Sequence, residues 1–201
     1  MNEAKLMLSP EELQLMQNAG WILTKNKVIH KVCELFGILA EEMKPQWEQS
    51  SLHGLYKINR AKISKGENLK GLPYVVLDYP GHFEKENIFS IRSLFWWGNY
   101  FSITLHLKGD SKSRVMNSLM RELPLLAKKD FQIFIGDDEW IQDLNEKYFI
   151  LISKVEKPLI GRIFETHSFL KISTRIEIQE MDQVRKQLLK HFAVLLECLA
   201  H

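Results

Sequence analysis

A chain of 201 residues, 45% hydrophobic and 26% charged, buries roughly 70% of its unfolded surface and reads as one domain, 1–201, rather than a disordered segment. The net charge of +2 excludes nucleic-acid binding by bulk charge and leaves only a chain that gathers its cations on one face. No run reaches the roughly 18 apolar residues of a membrane span, and MNEAKLMLSPEELQ lacks the apolar stretch of a signal peptide, which predicts a cytoplasmic protein.

In chain order, Ser9-Pro10-Glu11-Glu12 is a helix start: a capping hydroxyl, a proline at the first helical position and two acids at the positive end of the dipole. This helix is expected to run to about Ala19 and end at Gly20. A second covers about Asn26 to Lys44, with Val28, Val32, Leu35, Phe36 and Leu39 at helical spacing, and Pro45 breaks it. Cys33 on this helix and Cys198 near the C-terminus sit among apolar residues and read as buried, reduced thiols. From Leu55 the period changes. Leu55–Ser64 and Leu72–Leu77 read as strands about the turn-rich KGENLKG, and Tyr79-Pro80-Gly81 reads as another turn.

Ile88–Trp97 and Tyr100–Leu107 give the strongest hairpin signal, closed by Gly98-Asn99 as a two-residue turn. Asp110 or Ser111 caps a helix with Met116, Leu119, Met120 and Leu123 on its core face, limited or kinked by Pro124. Short strands follow at Phe131–Ile135 and Lys147–Ser153. Phe169–Ile178 alternates as a half-buried strand, with Leu170, Ile172, Thr174, Ile176 and Ile178 inward. The last helix, about Glu180–Leu199, buries Val184, Leu188, Phe192, Leu195 and Leu199. The order predicts an α+β fold: an antiparallel sheet with N-terminal helices, one inserted helix and a long C-terminal helix packed on it.

The stretch Ile58–Leu107 is where positive charge, glycines and amphipathic aromatics meet. A two-residue turn places Trp97 opposite Tyr100, Ser93 opposite Thr104 and Ile91 opposite His106. One face then carries Leu94, Trp96, Phe101, Ile103, Leu105 and Leu107 with Arg92 among them. The other sets Phe89, Ile91, Phe95, Trp97 and Tyr100 around Ser93, Ser102, Thr104 and His106, the mixture that lines small-molecule pockets or lies under a helix. A three-residue turn shifts the register and mixes the faces. Arg92 needs a partner, and Asp78 is the best internal one.

Lys57, Arg60, Lys62, Lys65 and Lys70 stand against one acid, Glu67. Gly66 and Gly71 have phosphate-loop spacing, but Leu72-Pro73 stands where Lys and Ser or Thr are required, which excludes a Walker site. A weaker anion site and a solvated edge strand remain. Asp137-Asp138-Glu139 lacks the alternating ligands of a calcium loop and reads as a solvated turn leading into a short helix. The seven histidines are scattered, no metal motif or nucleophile elbow occurs, and neither a cofactor nor a metal is expected.

KGENLKGLPYVVLDYP followed by FSIRSLFWWGNYFSITLHL resembles a pattern in uncharacterised, Bacteroidetes-type bacterial proteins of about this length. That resemblance implies no reaction, cofactor or catalytic residue.

The residues point to a ligand- or partner-binding protein. Its expected site is built from Arg60, Lys62, Lys65, Lys70, Arg92, Ser93, Trp97, Tyr100, Ser102, Thr104 and His106, and takes a small anionic or aromatic molecule or a protein partner. One alternative is an enzyme for a small anion with His106 as general acid or base. Another is an assembly protein, with self-association left open and nucleic acid a lesser option.

Overall fold

The computed structural model describes residues 7–56, 58 and 60–200; Lys57 of the basic segment and His201 lie outside them. Helix α1 spans Pro10–Gln17, and Ser9 closes a capping box with Glu12. The break that follows falls at Asn18, whose side chain accepts the Trp21 N–H at 3.2 Å. Helix α2 then runs without interruption through Ala19–Glu48, so Gly20, expected to end the first helix, lies inside the second, and Pro45 does not break it. Gly20 lies in the first turn, where backbone N–H groups lack helical partners in any case. Pro45 is carried because Met43 and Trp47, on either side of it, are fully buried. Burial of that last turn outweighs the missing hydrogen bond.

After a 3₁₀ turn at His53–Leu55, strand β1 covers Lys62–Leu69. It includes most of the segment expected to be a turn. The reversal is made by Lys70 and Gly71 alone, both at positive φ. Gly66 allows the close crossing of Tyr74, whose ring lies 2.5 Å from where a Cβ would stand. Strand β2, Leu72–Phe83, passes through Tyr79-Pro80-Gly81, absorbing it as an irregularity between Asp78 and Gly81. Strands β3, Ile88–Trp96, and β4, Tyr100–Lys108, form the expected hairpin.

Helix α3, Asp110–Lys128, starts after Gly109 and keeps Pro124 inside it. Short strands β5, Gln132–Phe134, and β6, Phe149–Leu151, flank a connection over 135–148 that contains no helix. Helix α4, Lys157–Thr166, is an element beyond those the sequence pattern predicts. Strand β7, Phe169–Glu177, and helix α5, Met181–Leu199, complete the chain. The seven strands are antiparallel in the order β1-β2-β3-β4-β7-β5-β6, which makes the fold α+β with a long C-terminal helix.

The main core joins α2, α3 and α5 to one sheet face through Phe36, Ile91, Phe101, Leu119 and Phe192. A second cluster, including Leu94, Trp96, Tyr100, Phe134 and Phe149, occupies the opposite face beneath the 135–148 connection. Strand β7 is therefore buried on both faces along most of its length, and Lys171 and Ser173 are as inaccessible as Ile172. Among the described residues, no helix is long and apolar enough to cross a membrane.

The N-terminal part of the molecule differs. No residue of α1 is buried, and the first buried residue of α2 is Ile29. Leu13, Leu15, Met16, Trp21, Ile22 and Leu23 are all exposed, as are Met7 and Leu8. Large apolar side chains on a free surface usually mark a contact region when they are contiguous.

Candidate functional site

The hairpin closes with three residues, Trp97-Gly98-Asn99. Gly98 has φ 71°, and the Asn99 amide donates to Trp97 O at 2.9 Å. Phe95 therefore faces Phe101, and Trp96 faces Tyr100. The one-residue change in register exchanges the faces of β3 relative to β4. Ser93 lies opposite Leu77 and Ile103, beneath the helices, and does not share a centre with Ser102, Thr104 and His106. Arg92 moves the other way, out of the apolar face and into the polar one.

The result is a polar row across the sheet. Lys62, Asp78, Arg92, Thr104 and Ser173 are successive register partners on β1, β2, β3, β4 and β7. The Asp78 carboxylate accepts two bonds from Arg92, at 2.7 and 2.9 Å. The Arg92 guanidinium also lies over the Phe83 ring at 5.8 Å. Thr104 and Ser173 share a 2.7 Å hydroxyl bond, and Ser173 is also 3.0 Å from Ile103 O. In a neighbouring row, Ser90, His106 and Lys171 are partners.

Lys171 donates to Glu139 O at 3.1 Å and to Ile141 O, with its ammonium 5.1 Å from the Phe134 ring centre. Burial, reinforced by the Arg92 charge, brings its pKa down to about 7. Burial, with Lys171, Arg92 and Lys108 nearby, pushes His106 down to about 3. The imidazole is thus neutral at pH 7, and its 3.4 Å approach to Glu139 is not an ion pair. His106 Nε2 and Glu139 Oε2 are both buried without a hydrogen-bond partner. Glu139 does pair with Lys108 at 3.0 Å, so it is bound into the fold rather than part of a solvated turn.

The space left among Ser90, Arg92, Thr104, His106, Gln142 and Lys171 is about 10 Å³, room for about one water. Among the described residues, no group of three His, Cys, Asp or Glu side chains could hold a metal.

Of the basic edge segment, Arg60, Lys65 and Lys70 do not join this centre, and Lys62 meets it only by register. Arg60, Lys62 and Lys65 are exposed along the sheet edge. Lys70 pairs with Asp143, and Glu67 pairs with Lys25 at 2.7 Å. Ser102 is buried opposite Leu94 and Arg175. Tyr100 is committed to the covering loop: its hydroxyl accepts the Leu144 N–H at 2.7 Å, and burial pushes its pKa up to about 12.

Several larger spaces lie elsewhere, and two of them differ most in chemistry. A cleft of about 490 Å³ is lined by Tyr56, His82, Glu84, Asp110, Ser111 and Arg114. Its charges are mixed, its Tyr56 hydroxyl is bound to Ser111 at 2.8 Å, and His82 lies 3.4 Å from Glu84. The second space, of about 400 Å³, is an apolar groove between α2, the hairpin tip and the start of α5. Val28, Phe95, Trp97, Ile178 and Met181 line it, and Lys31 is the one charged residue on its wall. Of the expected site residues, Trp97 alone reaches this groove. The helical spacing of Val28 and Val32 marked that face of α2, but the pairing of α2 with Trp97 and Met181 is tertiary and has no local signal. Compared with known proteins, the chain matches no family model, no curated protein and no solved structure.

Proposed function

We propose that this protein is a partner-binding module that receives an amphipathic helical segment in the groove between α2, the hairpin tip and α5. The observation that carries the reading is an open 400 Å³ groove with apolar walls and a single charge, Lys31, on its rim. Helix-in-groove recognition uses this chemistry: apolar anchors spaced along one helix face fill the groove, and rim charges set orientation. The polar row offers weaker support for a small-molecule site, because its free volume accommodates about one water. The enzyme alternative requires His106 to reach a substrate, and His106 lies beneath the 135–148 connection, edge-on to Trp140 and Phe169.

The test is binding of an anilinonaphthalene dye, whose emission rises in apolar grooves. It is measured on dilute protein, where the groove is open. Val28→Glu puts a carboxylate on the groove wall at a half-buried position and is expected to lower the enhancement with circular dichroism unchanged. Equal enhancement in both proteins would remove the groove as the binding surface.

A further inference from the structure

We infer that the helical segment received by the groove is the N-terminal arm, residues 7–23, of a second copy of this chain. The inference rests on the groove reading above and adds the identity of the partner. Among the described residues, seventeen large hydrophobic side chains are exposed, and eight of them fall between Met7 and Leu23. Their exposures run from 42% at Leu13 to 80% at Met7. Large side chains present roughly 200 Å² each when fully open, so the eight together offer on the order of 800 Å². That is about the share one partner brings to a standard protein interface. Reciprocal exchange of two arms would double it, as a closed two-fold contact requires.

Charge agrees with this pairing. The first turn of α1 carries Glu11 and Glu12, and the groove rim carries Lys31. An arm whose apolar residues enter the groove brings acids toward a lysine. The arm also leaves the body where the groove begins: α2 is exposed over its first turns, and its first groove-lining residue is Val28. A two-fold axis near this point brings each arm to the other chain's groove without a long linker.

The experiment is sedimentation velocity on the full chain from about 1 to 100 μM, a range that covers the usual affinities of standard-size interfaces. The expected species has twice the 23.6 kDa chain mass. Leu15→Glu in the arm and Val28→Glu in the groove should each raise the dimer dissociation constant by roughly 30-fold or more, as loss of a central anchor does. Circular dichroism checks that each variant stays folded. Mixing the two variants should restore a heterodimer, because that pair retains one intact arm and one intact groove facing each other. Lys31→Glu should weaken the dimer, and adding Glu11→Lys and Glu12→Lys should recover it.

A monomer at every concentration overturns the inference, as does a dimer insensitive to both substitutions. If the chain is monomeric while the anilinonaphthalene dye still responds to Val28→Glu, self-association fails and the groove reading stands. If neither is seen, both fail.

Discussion

The two faces of the sheet are buried by different means. On one face, three helices bring side chains that need no hydrogen bonds, and Phe36, Phe101 and Phe192 are sealed in an apolar cluster. Helices satisfy their own backbone groups, so an apolar sheet face suffices beneath them. On the other face, the cover is the irregular 135–148 connection, whose backbone groups lack regular partners. The sheet supplies those partners. Lys171 donates to the carbonyls of Glu139 and Ile141, and Tyr100 accepts from Leu144 N–H. Lys108 and Lys70 hold Glu139 and Asp143. The polar residues of this face resemble a reaction centre in composition, but their geometry is that of clamps on a loop.

The sharpest way to break this contrast is at Asp78. Removing one partner of a buried ion pair leaves the other charge uncompensated, which typically costs about 3–5 kcal/mol. Asp78→Ala should lose most of that range, read as a lower urea midpoint, because Arg92 is mostly buried and, among the described residues, pairs with no other carboxylate. Asp78→Leu combined with Arg92→Met should recover much of the loss. A cost for Asp78→Ala below about 1 kcal/mol, the value of a surface pair, would mean that this face is effectively solvated.

An effect of comparable size, spread over several pH units, follows from titration. Lys171 has a folded pKa of about 7 against an unfolded value near 10.4. The folded state therefore binds fewer protons between those values, and stability from this group rises with pH across that window, by up to about 1.4 kcal/mol per unit. Lys171→Met removes the slope, so the deficit of the variant should grow from pH 7 to pH 10. On the acid side, His106 is held near 3 and His191 near 4, both chiefly by burial. Their contribution is full above an unfolded value of about 6.5 and is lost as pH falls toward about 4 for His191 and about 3 for His106. His191 packs against Phe131 on the helix side, so His106→Phe and His191→Phe should each flatten the acid limb. Denaturation curves at several pH values decide both points. A pH-independent difference between wild type and Lys171→Met would show an amine that titrates normally.

The fold class and most strands were legible because their signals are local: period-two alternation in β3, β4 and β7, and a full helical stripe in α5. The Arg92–Asp78 pair was legible too, since a charge among apolar neighbours demands a counter-charge. The division of faces was not, because it turned on one residue in a turn whose Trp97-Gly98-Asn99 sequence also accommodates a two-residue reversal. Pro45 misplaced the end of α2 and Gly20 the end of α1, since their local penalties were outweighed by burial of Trp47 and by capping from Asn18. The loop cover over 135–148 had no periodicity to reveal it. Glu139 therefore looked like part of a solvated turn, although it meets Lys108 and His106 across the sheet.

The finest comparison is between the cover and the sheet it protects. Tyr100→Phe keeps the ring between Trp96 and the covering loop and deletes only the hydroxyl, which accepts the Leu144 N–H at 2.7 Å and makes a longer, weaker donation to Gln142 O at 3.4 Å. A neutral hydrogen bond contributes about 1 kcal/mol net, so global stability should fall by about that much. Hydrogen exchange gives a more local readout. The Leu144 amide should exchange roughly five- to tenfold faster if opening of the loop becomes easier by the same amount. Amides of Ile103 and Leu105, paired within the sheet, should shift only with the global change. If Leu144 and the sheet amides accelerate together, the loop opens only with the whole fold, and the two covers are equally integral. If Leu144 alone responds, the loop is a separately opening cover held down by Tyr100, Lys171 and Lys108.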